Sequence, residues 1–220
     1  MKIIELKKSV TASNDADAAA LREELARRGI LMVNIMSAAG SGKTTLLGRI
    51  IEDLRGKVRI GVIEADIDAS VDAERIEQLG GKSIQAHTDG MCHMDAGMTA
   101  AALKEMGPDG LDLIFLENVG NLICPAEYAT GSHINVMLLS VPEGDDKPLK
   151  YPLMFQSSDA LVITKTDALP YFSFDTEKCS QRACMLNDKI QIFPVSAKTG
   201  NGMEKLEEYL LREMKRLKQV

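Results

Sequence analysis

Short apolar runs alternate along the chain with segments whose apolar residues recur at helical spacing. The run at residues 111–116 is almost uniformly apolar, which is typical of a parallel strand buried on both faces. Strands are predicted near residues 32–36, 58–63, 83–86, 111–116, 135–140, 160–164 and 189–195. A helical period relates Leu46, Leu47, Ile50, Ile51 and Leu54. This alternation predicts an α/β fold in which a mostly parallel sheet carries helices on both faces.

Helix signals also organise the two ends of the chain. Ser13 or Asn14 is predicted to cap a helix over residues 15–26, and Gly29 stands where a C-terminal cap belongs. The first ten residues are predicted to form an extended lead-in. Further helices are predicted near residues 46–54, 71–79, 98–106, 175–186 and 203–217. No repeat or domain boundary is visible, so residues 1–220 are predicted to form a single domain, with residues 1 to about 30 packed on it as a lead-in and helix.

The turn between the first apolar run and the next helix is rich in glycine and ends in Lys43-Thr44. Gly40 and Gly42 allow the backbone to close around phosphate oxygens, and the helix N-terminus directs N–H groups at them. Lys43 is expected to neutralise the β- and γ-phosphates, and the Thr44 hydroxyl is expected to bind Mg²⁺. This is the layout of a P-loop NTPase, although Ser37 stands where the usual pattern has glycine. The nucleotide-binding residues predicted in this turn are Ala39, Gly40, Ser41, Gly42, Lys43, Thr44 and Thr45.

The composition is that of a globular protein and excludes several function classes. Of the 220 residues, 45% are hydrophobic and 26% are charged, and the formal net charge is −6. Because no long basic run is present, we expect no nucleic-acid partner. No apolar run reaches the roughly 20 residues that a membrane span needs, and the N-terminus becomes charged too early for a secretory signal. The chain is therefore predicted to be cytoplasmic, without a membrane partner.

Acidic residues follow two of the predicted strands, at the edge of the sheet where ligands collect. Asp66 and Glu117 are the predicted Mg²⁺ ligands beside Thr44, because Mg²⁺ prefers oxygen ligands and needs few from the protein. Asp66 is also the candidate for positioning the attacking water, and Gly120 is expected to lie against the nucleotide. Glu64 and Asp68 are interpreted as solvated loop charges.

Two later loops indicate which base is bound. Thr164-Lys165-Thr166-Asp167 is close to the Asn-Lys-x-Asp signature of GTPases. The Asp167 carboxylate can accept hydrogen bonds from guanine N1–H and the 2-amino group, and the Lys165 stem can lie along the base plane. The next predicted strand ends in a companion loop, in which the Ala197 N–H is expected to face guanine O6, formed by Ser196, Ala197 and Lys198. These loops predict GTP rather than ATP as the nucleotide.

A soft-ligand set lies in two other loops. Cys92 and His93 are adjacent, and Cys124 follows the loop that contains Glu117 and Gly120. Thiolate and imidazole suit Zn²⁺ or Ni²⁺ rather than Mg²⁺. Spacing alone leaves the alternative of buried, inert cysteines open, and no Cys-x-x-Cys pair is present. The other cysteines and His133 are interpreted as structural, and His87 as a polar loop residue or a further ligand.

The sequence resembles the hydrogenase nickel-insertion GTPases, the HypB family of dimerising P-loop proteins. The likeness covers nearly the whole chain and is carried by residues 33–47, 64–66, 92–96, 117–125 and 143–152. The stretch 117–125 favours the hydrogenase branch over the related urease nickel GTPases. The family also tolerates serine at the place of Ser37.

The resemblance implies a GTP-dependent homodimer that hydrolyses GTP to GDP and delivers nickel to the large subunit of nickel–iron hydrogenase, with accessory maturation proteins as partners. It places Cys92, His93 and Cys124 in a Ni²⁺ or Zn²⁺ site at the dimer interface. It also implies that Lys150, more than Lys147, reaches the nucleotide of the second copy. The chain lacks the further histidine that some members carry after Cys-His, and it lacks an N-terminal cysteine motif or histidine-rich stretch.

Two alternatives stay open at this point. One is a GTPase that delivers nickel to urease or another target. The other is a P-loop small-molecule kinase, which would need a substrate pocket and a further catalytic carboxylate.

Overall fold

Seven parallel strands form the sheet in the part of the chain that the structure describes. The structure is a computed structural model that describes residues 6–65 and 76–219. The strands are β1 (Leu31–Ser37), β2 (Ile60–Glu64), β3 (Lys82–Gln85), β4 (Leu113–Glu117), β5 (Ile134–Ser140), β6 (Ala160–Thr164) and β7 (Gln191–Pro194). Their order is β3-β2-β4-β1-β5-β6-β7, and every neighbouring pair is parallel. Because β1 lies at the centre, the loop that follows it opens where ligands bind in such sheets.

Helices cover both faces of this sheet. The described α-helices of more than five residues are Leu6–Arg27, Lys43–Asp53, Ala96–Met106, Thr176–Leu186 and Met203–Leu217, and two short ones are Lys147–Lys150 and Pro152–Gln156. On one face, Val33 and Ile35 of β1 pack with apolar residues of Lys43–Asp53 and Met203–Leu217. On the other face, Met32 packs with residues of Leu6–Arg27 and Ala96–Met106. The predicted α/β architecture is confirmed.

The N-terminal helix begins earlier than the sequence pattern predicts. Residues 6–10 are helical, so the predicted extended lead-in is wrong there, and the helix continues through Ser13 and Asn14. Asn14 does not cap the helix, because its side chain is used in tertiary contacts. Its Oδ1 accepts from the Ala96 N–H at 3.0 Å, and its Nδ2 donates to the Ala129 carbonyl at 2.9 Å. The predicted end at Gly29 is confirmed, since Gly29 has φ +68°.

Two other expectations near β2 have mixed outcomes. Glu64 is 1% exposed and its Oε1 accepts a hydrogen bond from Ser83 Oγ at 3.1 Å, so its interpretation as a solvated loop charge is wrong. Asp66 and Asp68 lie outside the described residues. Of the helix predicted at residues 71–79, residues 76–79 are described, and 76–78 of them are helical. Among the described helices, none is long and apolar enough to cross a bilayer.

Candidate nucleotide and metal sites

The loop between β1 and the helix Lys43–Asp53 has the backbone of an anion-binding turn. Gly40 has φ +73° and Gly42 has φ +96°, conformations that residues with a Cβ rarely adopt. The N-terminal amides of the helix therefore point into the turn, where phosphate oxygens would bind. The predicted P-loop is present in the structure.

Ser37 supports this turn through its side chain. Its Oγ accepts hydrogen bonds from Ser41 Oγ at 2.6 Å and from Lys43 Nζ at 3.2 Å. It donates in turn to the Ala38 carbonyl at 2.8 Å. Ser37 and Ser41 are fully buried, and Lys43 is 7% exposed. A glycine could make none of these side-chain contacts, so the serine at this place holds the lysine in position.

Thr44 and Glu117 provide oxygen atoms beside the turn. Thr44 Oγ1 lies 3.4 Å from Glu117 Oε1, although Thr44 belongs to the helix Lys43–Asp53 and Glu117 to β4. Glu117 ends β4 and is 6% exposed. A hydroxyl and a carboxylate in this position suit Mg²⁺, which keeps several waters and takes few protein ligands. Asp66, the third predicted ligand, lies outside the described residues.

Gly120 brings the loop after β4 against the P-loop. A Cβ added at Gly120 would lie 3.1 Å from both Cα and N of Ala39. Because the obstacle is backbone rather than a flexible side chain, only glycine fits here without a shift of one loop.

We expect Gly120→Ala to weaken nucleotide binding roughly 10-fold, since overpacking of this kind costs about 1–3 kcal/mol. Titration with a fluorescent GDP derivative measures the affinity. Gly97→Ala is the matched control, because the same methyl group there lies 3.5 Å from a side-chain oxygen of Asp95. Equal affinities for the two variants would show that the close approach at Ala39 has no role in binding.

Both predicted base-binding loops line one cavity next to the P-loop. The cavity has a volume of about 260 Å³ and is lined by Gly42, Thr45, Leu46, Thr164, Lys165, Asp167, Ala168, Val195, Ala197 and Lys198. Thr164 Oγ1 donates to the Ser41 carbonyl at 2.7 Å, and Lys165 Nζ donates to the Gly40 carbonyl at 2.7 Å. Asp167 Oδ1 accepts from Ser196 Oγ at 2.7 Å, which joins the two loops. The carboxylate is therefore oriented at the cavity by the companion loop.

The three predicted soft ligands converge in a second site. Cys92 Sγ lies 2.6 Å from Cys124 Sγ and 3.7 Å from His93 Nδ1. The three ligand atoms all lie within 4.8 Å of one another, which is close enough for one metal ion. His93 is 5% exposed and its ring stacks on Tyr128, with ring centroids 3.8 Å apart. This stacking fixes the plane of the imidazole.

The protonation of these groups follows from their surroundings. The hydrogen bond with Cys124, followed by burial, raises the pKa of the Cys92 thiol. Burial lowers the pKa of His93, which favours the neutral imidazole that binds metals. The Cys92 proton must leave before a thiolate can bind a cation, so metal binding should release protons.

Comparison with known proteins identifies the family. Residues 31–194 match the family described as CobW/HypB/UreG, nucleotide-binding domain. The chain is 44% identical over 209 residues to the hydrogenase maturation factor HypB of Rhizobium leguminosarum bv. viciae, which covers 95% of this chain and 70% of the relative. The chain belongs to the HypB family.

Two further relatives extend this result. The hydrogenase/urease maturation factor HypB of Helicobacter hepaticus is 37% identical over 215 residues, covering 95% of this chain and 87% of the relative. A crystal structure of HypB from Helicobacter pylori in complex with nickel superimposes with a TM-score of 0.87 at 36% identity, covering 93% of this chain and 96% of that chain. The resemblance read from the sequence is confirmed, and a P-loop fold in the HypB family implies nucleotide hydrolysis.

Two predicted candidates of this HypB-family chain lie outside the sites described above, and some residues that line the base cavity were not predicted. Lys150 lies in the short helix Lys147–Lys150, where its Nζ pairs with Asp146 Oδ2 at 2.6 Å, and it does not line the base cavity. Its contact with a nucleotide stays a prediction. Ala168 and Val195 line the cavity but carry no sequence signal beyond their place next to the two base-binding loops. His87 is exposed and lies outside the ligand cluster found among the described residues.

Proposed function

We propose that this protein is a GTPase that binds Ni²⁺ and assists its insertion into nickel–iron hydrogenase. The observation that carries the proposal is one loop shared by two sites. The segment from Glu117 to Cys124 contacts the P-loop through Glu117 and Gly120 and supplies Cys124 to the soft-ligand cluster. A change at the phosphates therefore has a short covalent path to the metal ligands.

Hydrolysis of GTP to GDP and phosphate needs charge neutralisation and positioning rather than covalent catalysis. Lys43 is held at the turn by Ser37 and would balance the charge of the β- and γ-phosphates. Thr44 and Glu117 would hold Mg²⁺, which supplies further positive charge to the phosphates when it is bound. Asp66 is proposed as a further Mg²⁺ ligand and as the residue that positions the attacking water, and Lys150 as a contact from the second copy.

The metal handled is proposed to be Ni²⁺, with Zn²⁺ as the other ion that suits the ligands. Two thiols and one imidazole form a soft donor set that disfavours Mg²⁺. Three ligands leave a four-coordinate ion one position short. A second copy of the chain or a water molecule would complete it, in a homodimer that forms with GTP. The exposed edge at Cys92 makes the site accessible to a partner.

The partners proposed are the hydrogenase large subunit and accessory nickel maturation proteins, acting in the cytoplasm. The test loads the protein with ⁶³Ni²⁺ and GTP, adds purified precursor of the large subunit, and measures radioactivity that co-purifies with the precursor. We expect transfer with GTP and little transfer with a non-hydrolysable analogue. Equal transfer without nucleotide would contradict the proposal.

We expect Asp167→Asn to change the nucleotide preference of the protein. The asparagine Nδ2 would face the guanine 2-amino donor, whereas the 2-oxo group of xanthine accepts from it. Loss of such a paired contact is worth about 1–3 kcal/mol, so GTP affinity should fall roughly 10- to 100-fold while XTP binding improves. Competition against a fluorescent GDP derivative measures both constants.

Asp188→Asn is the matched control, because Asp188 is exposed and lies away from the base cavity. It should leave the ratio of GTP to XTP affinity unchanged. If Asp167→Asn also kept this ratio, or if the unsubstituted protein bound ATP as tightly as GTP, the guanine assignment would be wrong. Tight ATP binding followed by phosphate transfer to a small acceptor would support the kinase alternative.

Urease is the second candidate target, because the Helicobacter hepaticus relative is named as a hydrogenase/urease maturation factor. Including urease apoprotein as a second acceptor in the ⁶³Ni²⁺ experiment separates the two targets. Radioactivity on the hydrogenase precursor alone would exclude urease as an acceptor.

A further inference from the structure

Three asparagine side chains form a continuous hydrogen-bonded row across the sheet. Asn118, directly after β4, donates from Nδ2 to Asn34 Oδ1 of β1 at 3.0 Å. Asn34 Nδ2 donates to Asn135 Oδ1 of β5 at 3.0 Å, and Asn135 Nδ2 donates to the Ser157 carbonyl at 3.1 Å. Asn34 and Asn118 are each 1% exposed. The row therefore connects three neighbouring strand positions in the interior of the protein.

The two ends of the row determine the orientation of every amide in it. At one end, Asn118 Oδ1 accepts from the backbone N–H groups of Met94 at 3.1 Å and Val119 at 2.9 Å. At the other end, the Ser157 carbonyl can only accept. Because each side-chain oxygen faces donors and each side-chain nitrogen faces an acceptor, reversing one amide would bring two donors or two acceptors together. The row therefore has one consistent set of amide orientations.

The row crosses an otherwise apolar face of the sheet. Along β1, Asn34 lies between Met32 and Met36, which are both fully buried and belong to different apolar clusters. An apolar residue could occupy such a position without the cost of burying an amide. The hydrogen-bonded row instead supplies directional contacts. At the Asn118 end, the row contacts the loop that contains Cys92 and His93, through the N–H of Met94.

Asn118 joins residues 117–120, which lie beside the P-loop, to the loop that contains Cys92 and His93. It directly follows Glu117, whose Oε1 lies 3.4 Å from Thr44 Oγ1, and it precedes Gly120, which touches Ala39 of the P-loop. Its Oδ1 holds the N–H of Met94, the residue directly after His93. Met94 is fully buried, so the backbone at residues 93–94 is held against the end of β4.

We propose that Asn118 is a positioning residue that couples the nucleotide state to metal affinity through the Met94 N–H. A displacement of residues 117–120 when the γ-phosphate is lost would move the Asn118 side-chain Oδ1, and with it the backbone beside His93. The distances from the His93 imidazole to the sulfur atoms of Cys92 and Cys124 would change as a result. This inference rests on the proposed function, because it requires that the protein bind both GTP and Ni²⁺.

The test compares Ni²⁺ dissociation constants in the GDP state and in a state with a non-hydrolysable GTP analogue. Couplings of this kind are typically about 5- to 150-fold, and we expect such a ratio in the unsubstituted protein. Asn118→Ala should bring the ratio to within about twofold of unity, because the acceptor for Met94 is lost. A competing chromophoric chelator reports each dissociation constant.

Two further variants separate coupling from stability. Asn135→Ala removes the same amide at the other end of the row and should lower the unfolding temperature while keeping the ratio of dissociation constants. Asn118→Asp keeps an oxygen for the Met94 and Val119 N–H groups, so it should retain the ratio even if the protein is less stable. This variant also keeps the test valid if Asn118→Ala fails to fold.

The inference is overturned if Asn118→Ala retains the ratio, or if either Asn118→Asp or Asn135→Ala loses it. Equal Ni²⁺ affinities in the two nucleotide states of the unsubstituted protein would also overturn it, while GTP hydrolysis and nickel binding stand. If the unsubstituted protein failed to bind Ni²⁺ or to hydrolyse GTP, the proposed function would be wrong and the inference would fall with it.

Discussion

Lys43→Ala is expected to slow GTP hydrolysis about 10²- to 10³-fold, the usual effect of removing one group that stabilises developing charge. Lys43 is 7% exposed, and its Nζ hydrogen bonds to the neutral Ser37 hydroxyl. Phosphate oxygens would be stronger partners for the Lys43 ammonium, because a hydrogen bond between two charged groups is stronger than one to a neutral hydroxyl. Single-turnover phosphate release measures the effect.

The matched control for this prediction is Lys189→Ala, which removes an exposed lysine outside the base cavity. Its hydrolysis rate should equal that of the unsubstituted protein. Thermal unfolding of both variants establishes that the fold is intact. A folded Lys43→Ala variant with a rate within about threefold of the original would lie far below the effect typical of such groups and would remove Lys43 from the catalytic machinery.

Cys92→Ala and Cys124→Ala are each expected to lower Ni²⁺ and Zn²⁺ affinity about 10²- to 10³-fold. Structural zinc sites bind with about 10–16 kcal/mol in total, so one of four ligands accounts for roughly 2.5–4 kcal/mol. Both sulfur atoms are within the ligand cluster, and neither cysteine packs in one of the large apolar clusters. The loss should therefore appear in metal affinity with little change in the free energy of unfolding. Competition with a chelator of known affinity measures it.

Cys184 provides the control within the same chain. It is an exposed cysteine on the helix Thr176–Leu186 and lies outside the ligand cluster, so Cys184→Ala should leave both affinities unchanged. The same loss in Cys184→Ala would mean that thiols bind metal nonspecifically. Unchanged Ni²⁺ binding in Cys92→Ala would disprove the proposed site.

The strands and the phosphate-binding turn were predictable because their signals are local. Uniform apolar runs mark buried parallel strands, and the glycines of the turn report a backbone conformation that few other residues adopt. Two of the wrong expectations arose where a side chain serves a distant partner. Asn14 resembles a helix cap in sequence, but its amide bonds to the backbone of Ala96 and Ala129. Glu64 resembles a solvated loop charge, but it is buried beside Ser83 of the neighbouring strand.

The sequence by itself determined the α/β fold class, the P-loop and the likeness to the HypB family. Only the tertiary structure decided which loops meet, because contacts across strands depend on strand order and register rather than on spacing along the chain. The sulfur atoms of Cys92 and Cys124 lie 2.6 Å apart because the strand order brings their two loops together. The asparagine row is the clearest case, because the spacing of Asn34, Asn118 and Asn135 along the chain does not predict a contact among them. They form one hydrogen-bonded row because β1 lies between β4 and β5.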